Sequence, residues 1–117
     1  MNAEELKTRT KQMAIQAIQF VEKLPKGLTN DIIGKQLVRS STSVAANYRA
    51  ACKARSKADF INKLGIVEEE ADETVFWLEM LVESGKASEN GISSLKNEAQ
   101  ELLKIVAASR ITAKKNR

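Results

Sequence analysis

Wound at 100° per residue, the stretch 35–53 places Lys35, Arg39, Arg49 and Lys53 within an arc of about 80°. Thr42 and Ala46 fall on the same line, and Leu37 and Val44 point the opposite way. Four cations on one helix face suit phosphate oxygens, which implies sequence-tolerant, salt-dependent capture of RNA or DNA. Lys7, Arg9, Lys11, Lys114, Lys115 and Arg117 add to the basic inventory. Tyr48 is the one aromatic placed to stack on a base, and no groove-reading motif is present. The competing use of the same face is a subunit contact, which would leave only the termini basic.

The stretch 66–80 carries a different chemistry. Behind its apolar stripe lie Ile66, Phe76, Trp77 and Met80, mixed with Glu69, Glu70 and Glu73. Large apolar groups on a solvent face mark a contact surface, and Trp is favoured at interface centres. An acidic, aromatic face and a basic face on one chain fit a head-to-tail contact between copies, which closes into a ring if the rotation permits. We therefore expect Ile66, Glu69, Glu73, Phe76, Trp77 and Met80 in a subunit interface. The alternative is a splayed bundle whose fourth helix or a loop covers them.

Catalytic and metal chemistry find little support. The chain has no histidine and one cysteine, Cys52. Paired Glu-x-x-His metal motifs are therefore impossible, no Cys pair can ligate zinc, and no serine or thiol has an imidazole base. Glu68, Glu69 and Asp72 could form a carboxylate-only site, but a solvated acidic face explains them more simply. Ser40, Ser41 and Ser43 read as small-residue helix packing, and Cys52 as a small packed thiol. No glycine-rich phosphate loop exists. The expectation is a protein without catalytic residues, cofactor or metal.

Four amphipathic segments must position these faces. Leu6, Thr10, Met13, Ala17, Phe20 and Leu24 form the first stripe, with Asn2 as N-cap and Pro25 and Gly27 as its stop. The second, capped by Thr29, carries Ile33, Leu37, Ser40, Val44, Asn47 and Ala51 and runs to about Ala54. Ser56 and Asp59, spaced like a capping box, start the third, with Phe60, Leu64, Val67, Ala71, Thr74, Leu78 and Leu81 in heptad rhythm and Gly85 at its close. Ser88 or Asn90 starts the fourth, with Ile92, Leu95, Ala99, Leu102 and Val106, and the terminal KKNR is expected to fray. Short connections make neighbours antiparallel, so the expected fold is an all-α, up-down-up-down four-helix bundle forming one domain over residues 1–117.

The bulk numbers agree. The 117 residues include one proline and five glycines, 43% are hydrophobic and 29% charged. Residues 1–55 hold ten Lys/Arg against four Asp/Glu, whereas residues 56–117 hold nine against eleven. The first half is basic and the second mildly acidic, which fits either an anionic partner or pairing between the halves. No apolar run approaches the roughly 20 residues that span a bilayer, and the N-terminus lacks an apolar signal core. A soluble cytoplasmic protein is the expectation.

Residues 20–85, and within them QLVRSSTSVAANYRAA, RSKADF and EADETVFWLE, resemble the family of 23S rRNA intervening-sequence proteins. The outer helices match it in pattern only. The resemblance implies an antiparallel four-helix bundle, a five-fold ring and no attached enzymatic activity. A related branch serves as accessory protein to the reverse transcriptase of diversity-generating retroelements, which implies a nucleic-acid or protein partner. The motif residues are Arg39, Ser43, Asn47, Arg49, Arg55, Glu70, Asp72, Glu73 and Trp77. By the helical wheel Asn47 and Asp72 flank the core stripes; either they hydrogen-bond inside the bundle and fix helix register, or they stand half-exposed in water.

Overall fold

A computed structural model describes all of residues 1–117 as four helices and no strand: α1 (Ala3–Glu22), α2 (Leu28–Ala51), α3 (Lys57–Glu83) and α4 (Glu89–Lys115). Each boundary has a local cause. Asn2 Oδ1 accepts from Glu5 N at 2.9 Å and opens α1. Ser56 Oγ accepts from Asp59 N at 3.0 Å, and Ser88 Oγ from Gly91 N at 2.9 Å, opening α3 and α4. Asp59 reaches back one residue further than a capping box does, to the Arg55 amide, and also accepts from Lys63 Nζ at 2.6 and 2.8 Å. At the end of α3 the Lys86 amide donates to Leu81 O and the Gly85 amide to Val82 O. Gly85 takes φ +79°, the left-handed conformation this closure requires.

Three expected boundaries shift. Thr29 does not cap α2: the helix starts at Leu28 after Gly27, which offers no side-chain cap. The Asn30 amide instead donates to Pro25 O at 2.8 Å, and that bond ties the loop ahead of the helix. α2 ends at Ala51 rather than Ala54, because Lys53 and Ala54 donate to carbonyls three residues back and tighten the last turn. Lys114 and Lys115 of the KKNR tail remain helical. Buried Ala113 docks that last turn, and Lys57 Nζ donates to Asn116 O at 3.2 Å.

The helices run antiparallel in chain order. Arg9 pairs with Glu98 and Gln16 with Ser94, so α4 numbers fall as α1 numbers rise. Lys96 approaches Glu79, and Arg110 lies over Gly65, in the same sense between α3 and α4. Gly34 of α2 meets Val21 of α1, and Arg49 near the end of α2 shares a groove with Glu4 at the start of α1. The bundle measures 47 × 20 × 20 Å, as expected where the longest helices, at 27 residues, reach about 40 Å. α2 packs most extensively on α3, and α1 touches α4 least.

The core follows the expected stripes. Leu37, Val44, Leu64, Val67, Ala71, Leu78, Leu81, Leu102 and Val106 are wholly shielded from solvent. Burial of this kind contributes about 25 cal/mol per Å² of apolar surface, so these stripes dominate the fold's stability. Small residues set the closeness of α1 and α2. A Cβ added at Gly34 would lie 2.9 Å from Val21 Cγ1.

Candidate interaction surfaces

The α2–α3 boundary is lined by polar residues over about three turns. On α2 these are Gln36, Arg39, Ser43 and Asn47; on α3 they are Glu70 and Glu73. The spacing puts them there, because 36, 39, 43 and 47 share one flank of α2, as 70, 73 and 77 do on α3. Arg39 donates to Glu70 at 2.8 Å, to Glu73 at 2.5 Å and to Gln36 at 3.1 Å. Burial pushes the Glu70 carboxyl up, but hydrogen bonds from Ser43 and Arg39 outweigh it and hold the group below the ordinary carboxylate value. The same Glu70 bond leads in raising the Arg39 guanidinium. Asn47 donates to the Ser43 carbonyl and hydroxyl, both at 2.9 Å, and so orients Ser43 toward α3. Deeper in the same boundary, Thr74 and Ser40 meet across the helices without solvent.

This seam gathers Arg39, Ser43, Asn47, Glu70 and Glu73 of the motif residues. Asp72, expected either inside the bundle or half-exposed, is exposed and stands apart from the seam, facing outward one position round the helix from Ala71. Arg49 and Arg55 are exposed. Gln36 was not legible as part of the seam, although its place one turn before Arg39 is the signal that marks it.

The basic face of α2 is present but incomplete. Lys35, Arg49 and Lys53 are exposed, and none of them forms an ion pair. Arg39 is spent on Glu70 and Glu73 of its own chain. Lys53 lies just past the end of α2, in the turn toward α3. Cys52, expected to pack, is exposed because α2 stops one residue before it.

The outer face of α3 keeps three large apolar side chains in solvent. Phe76 is 47% exposed, Ile66 38% and Met80 37%. Glu69 is exposed among them. Trp77 departs from the expectation that it shares this face. It stands seven residues from Glu70, at the same heptad position, and therefore turns toward α2 and packs half-buried against the core. Its ring meets Phe76 edge-on, with centroids 4.9 Å apart. Its Nε1 is buried without a hydrogen-bond partner in the chain. Glu73 is paired with Arg39, and its side chain remains 44% exposed.

No three His, Cys, Asp or Glu side chains converge to hold a metal ion, and Glu68, Glu69 and Asp72 do not form such a group. No helix is long and apolar enough to cross a membrane. On the far side of the bundle, Arg9 holds Glu98 through two bonds of 3.0 and 2.6 Å. Nothing in the sequence signals that pair, since it depends on how α4 is aligned beside α1.

An all-α antiparallel bundle with a polar α2–α3 seam and an apolar outer face on α3 is the class these observations define. The model of the 23S rRNA-intervening sequence protein family matches residues 4–108, and the chain belongs to that family. The match extends the resemblance of residues 20–85 into both outer helices. A solved structure of a protein of unknown function from the S23 ribosomal protein family of Bacteroides thetaiotaomicron VPI-5482 is similar. It is 32% identical, with a TM-score of 0.83, over 94% of this chain and 98% of that one. No curated protein matches the chain.

Proposed function

We propose that the chain is a non-enzymatic subunit that assembles with copies of itself, in the ring of five its family resemblance implies, and that the assembly holds nucleic acid through phosphate contacts. The observation that carries this reading is the outer face of α3. Ile66, Phe76 and Met80 stand in solvent on a helix whose opposite side already fills the core. Such a face is stabilised when a second molecule covers it. The half-buried Trp77 stiffens it from behind. Lys35, Arg49 and Lys53 then supply unpaired positive charge, which a ring repeats and so strengthens.

Sedimentation velocity tests the assembly. The wild type sediments as an oligomer, and Phe76→Glu, at an exposed position, sediments as a folded monomer. A monomeric wild type at every concentration would overturn the reading. Fluorescence anisotropy with a labelled RNA tests the second half: binding weakens steeply with salt and falls when Lys35 and Lys53 become Glu.

A second reading is a protein-docking module that binds no nucleic acid itself. It draws on Arg39, whose charge is neutralised by Glu70 and Glu73 within the chain, leaving the basic face broken at its centre. Absence of RNA binding at low salt, with assembly intact, would favour it.

A further inference from the structure

The geometry points to the acceptor for the α3 face: it is the groove between α1 and α2 of a second copy of this chain, which takes in only the Thr42, Ala46 and Arg49 part of the α2 basic face. This rests on the self-association proposed above and names the surface that receives it. The groove encloses about 620 Å³. Ile15 and Ile18 of α1 and Ala45 and Ala46 of α2 line it, and Ile15 is 37% exposed. Thr42 and the alanines are small, so the surface between the two helices is low enough to admit large side chains from a neighbour. Ile66, Phe76 and Met80 are side chains of that size, raised on a helix ridge.

Charge and length both match. The groove rim carries Lys7, Lys11 and Arg49 against a single carboxylate, Glu4, which Lys7 already pairs at 2.9 Å. Lys11 and Arg49 have no carboxylate in their own chain. The α3 ridge offers the exposed Glu69 beside its apolar side chains. On α1 the groove runs from Glu4 to Ile18, and the α3 ridge from Ile66 to Met80. Each spans fourteen helical steps, about 21 Å. Ridge and groove lie on different sides of the bundle, so no molecule satisfies both of its own patches, and the contact is head-to-tail. Arg49 then belongs to the subunit contact, and Lys35 and Lys53 remain free for polyanions.

Mixing two variants tests this. Phe76→Glu breaks the ridge and leaves the groove; Ala46→Glu, at an exposed helix position, blocks the groove and leaves the ridge. Each alone sediments as a monomer, and circular dichroism confirms that both fold. Mixed in equal amounts they form a dimer of twice the subunit mass, which stops there because each molecule has one working half. Met80→Glu with Lys11→Glu repeats the test should either first variant misfold. If Ala46→Glu stays assembled while Phe76→Glu disperses, the groove is not the acceptor, although self-association stands. If both disperse and mixing restores nothing, the contact is not head-to-tail between these patches, and the inference falls alone. If wild type is monomeric, both readings fall.

Discussion

The Thr74 hydroxyl donates to Ser40 Oγ at 3.0 Å, and neither residue is reached by solvent. Ser40 in turn donates to Leu37 O. A buried polar pair of this kind costs little when both partners are present and more when one is left alone. Thr74→Val is expected to lower the unfolding free energy by about 1 kcal/mol. Adding Ser40→Ala should cost less than the sum of the single changes. Urea unfolding of both single variants and the double variant checks this, and strict additivity would show that the two hydroxyls act independently.

Arg39 and Glu70 give a second cycle. The Glu70 side chain is 13% exposed and that of Arg39 46%. Solvent screens the guanidinium end, so their coupling is expected at about 1 kcal/mol. Glu70→Ala costs more than Arg39→Ala, because it leaves Arg39 and Ser43 without their shared acceptor. Chemical denaturation of Arg39→Ala, Glu70→Ala and the double variant measures the difference.

Stability should also fall at alkaline pH for a local reason. Burial, with the Cys52 thiol nearby, pushes the Tyr48 phenol from 10.0 up to about 12. The folded state thus favours the neutral phenol. Its contribution is intact below pH 10, and is lost as pH rises toward 12 because the unfolded chain ionises first. Tyr48→Phe should flatten that decline in a thermal-denaturation series. The lowered Glu70 acts in the opposite range: its contribution is present above the ordinary carboxylate value and disappears as pH falls through the depressed one.

Gly34 sets how closely α1 and α2 approach. An added methyl would meet Val21 Cγ1 at 2.9 Å, so Gly34→Ala should destabilise by about 1–3 kcal/mol. Val21→Ala in the same molecule should recover part of the loss. Melting temperatures of the single and double variants decide the matter.

The apolar stripes were legible because period and burial are the same fact in an amphipathic helix. Leu64, Val67, Ala71, Thr74, Leu78 and Leu81 were read from spacing and all are buried. The caps at Asn2 and Ser56 were legible from residue type and local spacing, and of Ser88 and Asn90, left open for the fourth helix, Ser88 is the cap. Thr29 misled because a good capping residue is outcompeted when the loop before it is tied by another bond, here from Asn30 to Pro25. The half-burial of Trp77 was not legible, because a single wheel says how far a side chain is from its own core, not which neighbour turns to meet it. The destination of Arg39 depended on the α2–α3 register, which no local pattern contains.

The flank where α1 meets α4 is fastened by Arg9 on Glu98 and Gln16 on Ser94, with less packing than any other boundary. The bundle is therefore most easily opened between α1 and α4, with α1 remaining packed on α2 and α4 on α3. Amide exchange would be fastest along this margin, and a neighbour seated against α1 would slow it.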